Sequence, residues 1–298
     1  MLSYCRPMGS RTESVFCDRF LKPLGCTQDR HGNWHRVVGP DASPRVLWSC
    51  HTDTVHSKGG MQRVVLDRGL LFLPPRTASS CLGADDTAGV FLMTEMIARN
   101  VPGRYVFHFG EERGCVGSEA LVRENPAWLA DIKIAIALDR KGTQDVITHQ
   151  GGRTCSDDFA RDLAQGIGMG YAPSDQGIYT DTERYASVVP ECTNVSVGYE
   201  GAHTSREYLD ARHVIALLAR LCALDARVLG VYRDPLADAW GWDDEDVYTT
   251  FDKGQYLDPD YAALARYMAE ERETESEREA RNARDITAWF KNISKGRL

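Results

Sequence analysis

Short apolar runs alternate along the chain with segments whose apolar residues recur at helical spacing. The first pattern marks strands and the second amphipathic helices. Val46-Leu47-Trp48 is an apolar run that ends at His51. Tyr105 to Phe109 reads as a strand, Ile132 to Leu138 as another, rich in β-branched residues, and Asn194 to Tyr199 as a further one. Thr12 to Leu21 reads as a helix, with Val15, Phe16, Phe20 and Leu21 on one side and Thr12 as its cap. Helical spacing returns over Asp86 to Arg99 (Val90, Met93, Ile97), over Ser156 to Gln165, and from Ser205 to Leu229, where Ile215, Leu218, Leu221 and Leu224 recur. His31-Gly32-Asn33 suggests a hairpin turn, and Asp67-Arg68-Gly69 divides Arg63 to Pro74 into one or two strands.

Strands alternating with helices predict an α/β fold, with a mixed, mostly parallel central sheet flanked by helices. Such sheets bind ligands beyond the carboxyl ends of their strands. His51, Glu111-Glu112 and Asp139 each follow a strand directly, so the topology sends them to one edge of the sheet. After Asp234 the pattern changes. Trp240 to Tyr248 is acidic and aromatic, Asp260 to Met268 has helical spacing, and Glu270 to Asp285 mixes Glu and Arg with almost no apolar residues. The division expected is a domain over 1–234 and a charged, helical extension over 235–298. The charged run reads as a solvated helix held by spaced ion pairs or as a disordered segment, with a partner-binding arm as the alternative.

Composition narrows the function. A chain of 298 residues can build one large α/β domain or two small ones. A formal charge of −8 argues against nucleic acid or an anionic membrane as a general partner. The nine cysteines form no Cys-x-x-Cys pair, which argues against a structural zinc knuckle. Free thiols suit a reducing cytoplasm. Met1 to Val15 has no apolar core of signal-peptide length, and no run reaches bilayer length. The expected location is the cytoplasm, with self-association left open.

Five segments carry the chemistry: His51-Thr52-Asp53, Gly83-Ala84-Asp85-Asp86, Gly110-Glu111-Glu112, Leu138-Asp139-Arg140 and Ala202-His203-Thr204. Taken singly, each has an ordinary explanation. Asp85 would cap the helix that follows, Glu111-Glu112 would be a charged loop, Asp139-Arg140 a surface ion pair, and His203-Thr204 the cap of the Ser205 helix. Taken together they supply imidazoles and carboxylates for two divalent ions. A pair of ions about 3.5–4 Å apart needs a bridging anion and activates one water. A carboxylate can bridge because each oxygen reaches a different ion, and zinc accepts imidazole nitrogen as well as carboxylate oxygen. One further carboxylate beside a ligand could take a proton.

In this order the segments, extended to His51-Thr52-Asp53-Thr54-Val55, Gly83-Ala84-Asp85-Asp86-Thr87-Ala88-Gly89 and Gly110-Glu111-Glu112-Arg113-Gly114, resemble the co-catalytic zinc exopeptidase superfamily. That group includes peptidase T, the glutamate carboxypeptidases, bacterial leucyl aminopeptidases and related amidohydrolases. The resemblance covers Thr12 to about Leu229. It implies that His51 and Asp139 bind one ion, Glu112 and His203 the other, and Asp85 both. It makes Glu111 the general base and Asp53 the group that holds the His51 ring. It also implies a cis peptide between Asp85 and Asp86.

The implied activity is metal-dependent peptide-bond hydrolysis with a metal-bridging water, of aminopeptidase type. The cofactors implied are two divalent ions, zinc first, with manganese or cobalt as alternatives. The partner is a peptide or small amide substrate. The rival with the same site is an amidohydrolase that removes an acyl group from an amino acid. A rival of another class is a non-catalytic protein that keeps the ions and binds a partner through its tail. Against that last reading stands Glu111, which a binding protein does not need.

Two departures matter. Many relatives insert a lid domain between the fourth and fifth segments, and the interval from Asp139 to His203 is too short for one. Relatives also often carry Lys or Arg where this chain has Thr87. Asp181 is a candidate to meet a substrate amine, or a turn cap. His56 and His149 are candidates to line the cleft, and His108 reads as a core histidine.

Overall fold

Why these runs become a sheet is visible in their burial. In the computed structural model, which describes residues 1–39 and 45–235, every residue of β4 (Val46–His51) and β12 (Glu191–Ser196) is buried. So are all residues of β9 (Ile134–Arg140) except Arg140. Strands covered on both faces carry no polar alternation, which is why they read as near-continuous apolar runs. They sit at the middle of an eight-stranded sheet. Its order is β11 (Ala172–Ser174), β10 (Asp145–Ile147), β12, β9, β4, β8 (Gly103–His108), β3 (Trp34–Val38) and β2 (Thr27–Gln28). The four central neighbours β12, β9, β4 and β8 pair in parallel. Antiparallel pairs, β10 with β12 on one side and β3 with β8 on the other, flank them. The mixed, mostly parallel sheet of the sequence reading is therefore present.

Helix α2 (Ala84–Ala98) packs on this sheet with nearly all of its residues buried. Gly89 permits the close approach: a Cβ there would stand 2.2 Å from the Leu138 carbonyl oxygen of β9. Helices α1 (Arg11–Phe20), α3 (Val116–Glu124), α4 (Asp157–Ile167) and α5 (Ala211–Ala223) complete the described helices. Leu163, Ile167, Leu217 and Leu221 join α2 in one core, with Trp48, Phe107 and Ile136 of the sheet. A four-stranded sheet of β13 (Tyr199–Glu200), β14 (Tyr208–Asp210), β7 (Leu70–Phe72) and β6 (Val65–Asp67) stands separately, as does the pair β1 (Tyr4–Cys5) and β5 (Gly60–Met61).

Between Asp139 and His203 the chain adds β10, α4, β11, β12 and β13; β10, β11 and β12 join the main sheet and β13 the four-stranded one. No lid domain is formed there. Farther on, the buried Glu191 carboxylate accepts the backbone N–H groups of Tyr232 and Arg233 at 2.7 and 2.9 Å. The Arg233 guanidinium donates to the carbonyls of Ala186 and Pro190, both at 2.9 Å. The chain is thus held to the sheet through Arg233. Apart from Pro235, the expected extension over 235–298, with its Asp260 helix and its charged run, lies outside the described residues.

Two expectations are corrected. The helix expected from Ser205 begins at Ala211, capped by Asp210, because Tyr208-Leu209-Asp210 pair as a strand with Phe72-Leu71-Leu70. His203-Thr204 therefore caps no helix. The first helix is capped by Ser10 rather than Thr12, since the Ser10 hydroxyl accepts the Glu13 N–H at 3.2 Å.

Candidate metal centre

Three of the five segments arrive from the ends of neighbouring parallel strands. His51 ends β4, Glu111-Glu112 follow β8 in a 3-10 turn, and Asp139 lies near the end of β9. Asp85 enters from the start of α2, where Asp85 and Asp86 depart from helical geometry and the peptide between them is cis, as the resemblance implied. His203 comes from the segment between β13 and β14, in a left-handed conformation (φ 65°).

The structure brings all of these side chains together. His51 Nε2 is 3.1 Å from Asp85 Oδ1 and 3.5 Å from Asp139 Oδ1. His203 Nε2 is 3.3 Å from Asp85 Oδ2 and 3.2 Å from Glu112 Oε2. The two oxygens of Asp85 are therefore divided between the two imidazoles. Ligand atoms around a tetrahedral ion with bonds of about 2.0–2.1 Å stand about 3.3 Å apart, so this spacing fits two ions. The donor chemistry fits too. Glu112 Oε1 and Asp139 Oδ1 are buried with no hydrogen-bond partner. Single ligand atoms of His51, Asp85 and Glu112, and of His51, Asp86 and Asp139, also lie within 4.8 Å of one another.

Support surrounds these atoms. His51 Nδ1 meets the Asp53 backbone oxygen at 3.1 Å, a contact that leaves Nε2 free to ligate. The Asp53 carboxylate stands 3.5 Å from that ring. Its hydrogen bonds go instead to the backbone N–H groups of Gly110, Glu111 and Glu112 at 3.1, 3.1 and 3.3 Å. Asp53 thus fixes the Glu111-Glu112 turn as well as the His51 side. Glu111 Oε2 is 3.9 Å from His51 Nε2 and makes no ion pair with His203, whereas Glu112 does.

Several supporting residues had no signal in the sequence. Asp86 is fully buried and accepts the backbone N–H groups of Gly89 and His51, at 2.8 and 3.3 Å. Thr180 donates to Asp139 Oδ2 at 2.7 Å, and Asn194 Oδ1 accepts the Asp139 N–H at 3.0 Å. At Thr87, the hydroxyl accepts from the buried Arg6 guanidinium at 2.9 Å, and Arg6 Nε donates to the Thr52 carbonyl at 2.7 Å. A cation thus reaches this place from the residue that follows β1. Apart from the Asp86–Gly89 bond, these contacts join residues far apart in sequence, and a buried polar residue carries no periodicity to betray it. Asp181 is buried, with Oδ1 accepting from Ser118 and Oδ2 without a partner. His56 is buried against Thr54 and Gln62, His149 meets Thr148, and His108 is a core residue that meets Tyr185 at 3.0 Å.

So many carboxylates out of water oppose one another. Burial pushes Glu111 well above the usual range, with Asp139 and Glu112 adding to the rise and His51 opposing it. Burial, then the neighbouring Asp85, lifts Glu112 to about 7 and Asp139 to about 6. Asp85 goes the other way: burial would raise it, but hydrogen bonds from His203 and His51 hold it below its ordinary value. Hydrogen bonds to Asp85 and Glu112 lift His203 to about 11.

A pH dependence follows for the chelated protein. A carboxyl raised on folding stabilises fully below its unfolded pKa, and that contribution is lost as pH rises through the folded value. For Glu112 and Asp139 this window runs from about 4 to about 7. The depressed Asp85 contributes throughout that window, so it does not reverse the sign. Melting temperature without metal should therefore fall between about pH 5.5 and about pH 8, and zinc should raise it more at the higher pH. A metal-free melting temperature that is flat or rising over this interval would contradict the electrostatic reading of the cluster.

Residues 34–182, half of the chain, match the model of peptidase family M28. Among curated proteins no sequence match is found. Three solved structures show the fold. The aminopeptidase PepT from Bacillus cereus is 17% identical, with a TM-score of 0.59 over 74% of this chain and 94% of its own. A tripeptidase from Staphylococcus aureus is 14% identical, with a TM-score of 0.60 and the same coverage. The TET1 peptidase of Pyrococcus horikoshii, which can assemble into a tetrahedron or a large octahedral shell, is 15% identical, with a TM-score of 0.50 over 74% of this chain and 96% of its own.

Proposed function

The chain belongs to peptidase family M28, and from that membership we propose that it is a two-metal aminopeptidase whose ions are held by His51, Asp85, Glu112, Asp139 and His203. The observation that carries the reading is the division of the Asp85 oxygens between His51 and His203. One ion would take His51, Asp139 and Asp85, and the other Glu112, His203 and Asp85. Zinc suits this donor set, and manganese or cobalt can replace it. When bound, such a pair polarises a carbonyl and acidifies a water.

The remaining work falls to the chain's own side chains. Glu111 is the general base. Its carboxylate takes a proton from the attacking water and delivers it to the leaving amine as the peptide C–N bond breaks. A carboxyl pushed up by burial holds that proton more readily than an exposed one. Asp53 keeps Glu111 in place through the backbone N–H groups it grips, and it orients the His51 ring through its own carbonyl. Asp181 accepts from Ser118 of α3 through Oδ1, and its unpartnered Oδ2 keeps it a candidate to meet the substrate amine.

The substrate end separates this reading from acyl-amino-acid hydrolysis. A peptide with a free amino terminus should be cleaved faster than its N-acetylated twin, measured as kcat/KM on the matched pair. Preference for the acetylated twin would instead establish the amidohydrolase.

The catalytic unit is drawn over 1–234, supported by the anchoring of Arg233, with 235–298 as an extension. Among the described residues no helix is long and apolar enough to cross a membrane. The cysteines are free, and all but Cys222 are buried, which agrees with a cytoplasmic location. Self-association is proposed by likeness to the assembling TET1 peptidase.

A further inference from the structure

We propose that Glu207 is a positioning residue that ties the His203 segment to the segment carrying Asp85, and so sets the affinity for the second ion. The inference rests on the two-ion reading above. Glu207 lies one helical turn's worth of chain beyond His203, yet in no helix, and it is 1% exposed. Its Oε2 accepts the Gly83 N–H at 2.8 Å and its Oε1 accepts the Asp85 N–H at 3.0 Å. A buried carboxylate is costly unless its oxygens are satisfied. Here both are, by main-chain donors that open α2.

Those donors would ordinarily be met by a local capping side chain. Position 83 is a glycine in left-handed conformation (φ 72°) and offers none. The cap comes instead from the segment that bears His203. The Glu207 N–H in turn donates to the Thr204 carbonyl at 3.1 Å, which closes 204–207 into a turn. One carboxylate thereby joins the chain segments of two ligands of the same ion.

The two segments are not equally held without it. The Asp85 side keeps the Thr87 N–H to Gly83 carbonyl contact at 3.3 Å and the Asp86 bonds to Gly89 and His51. The His203 side chain is 52% exposed, and the loop that carries it, closed at its base by the Glu200–Tyr208 pair, keeps mainly the Thr204 contacts with Gly201 and Arg206 within it. Loss of Glu207 should therefore free His203 more than Asp85, and weaken the second ion more than the first.

The test uses the full chain, stripped by chelation and titrated with cobalt(II), followed by visible absorption, and with zinc, followed by calorimetry. Glu207→Gln keeps the shape but places an NH2 against one of the two N–H donors. Glu207→Ala removes both acceptors. In each variant the first step should stay within about threefold of the unaltered protein, while the second weakens by about 10–100-fold, the scale for losing an outer partner of a ligand. Equal weakening of both steps, or no change in either, would overturn the proposal. If Glu207→Ala does not fold, the comparison rests on Glu207→Gln and is read the same way. Saturation of the unaltered protein at one ion would remove the two-ion reading and this inference with it. Two clean steps in the unaltered protein, with the second unchanged in Glu207→Gln, would remove this inference alone.

Discussion

Glu111→Gln should lower turnover by about 10²–10⁴-fold with both ions still bound, the usual scale for loss of a general base. The amide keeps the size of the side chain but cannot accept a proton from water. The geometry separates Glu111 from its neighbour: Glu112 Oε2 is 3.2 Å from His203 Nε2, whereas Glu111 makes its nearest histidine contact with His51, at 3.9 Å. The companion change Glu112→Gln should therefore release the ion that His203 holds. Turnover of a chromogenic amino-acid amide, with elemental analysis of each variant, makes the comparison. If Glu111→Gln lost an ion and Glu112→Gln kept two, the assignment of the pair would have to be exchanged.

Asp85→Ala should do more damage than any other single change at the centre. Among the described residues, Asp85 is the one side chain whose two oxygens face both imidazoles. Without it, His51 and Asp139 keep one another at 3.5 Å, and Glu112 and His203 at 3.2 Å, but no anion joins the two sets. The affinity for at least one ion should fall by more than the about 10–100-fold typical of losing an outer partner, and turnover should vanish with it. The chelated and reloaded variant should saturate at one ion or fewer in elemental analysis, against two for the unaltered chain. A variant that still binds two ions would take the bridging role away from Asp85.

How much of this was legible depended on where each residue's partner lies. His51 and Asp139 could be read because each sits at the end of an apolar run, and a parallel sheet sends strand ends to a common edge. Tyr208-Leu209-Asp210 misled because its apolar spacing continues that of the following helix. Its pairing with β13 on one side and with β7, far back in the chain, on the other makes it a strand. Ser10 carries a local signal for its cap, since Glu13 stands three residues on, as in a capping box. The supports Arg6, Asp86, Thr180 and Glu207 had no such clue. Arg6 and Glu207 act on main-chain atoms brought near only by folding. Such residues look like ordinary surface charges until their burial is known.

The pairing of β9 has a consequence for the order in which the molecule is made. β9 joins β4 on one side and β12 on the other, both in parallel. A parallel neighbour must wait for a crossover connection, and closing such long loops is slow. As the chain leaves the ribosome, His51, Asp85, Glu112 and Asp139 emerge well before His203 and Glu207. β12, which borders β9, also emerges in that last stretch. An ion met during synthesis can find its first ligand set while the sheet is still missing an inner strand. The second set exists only once β12 has docked and the 203–207 segment has come back over α2. On the proposed assignment the centre is therefore completed in two stages, and its second half waits for chain made after β12, ahead of α5 (Ala211–Ala223).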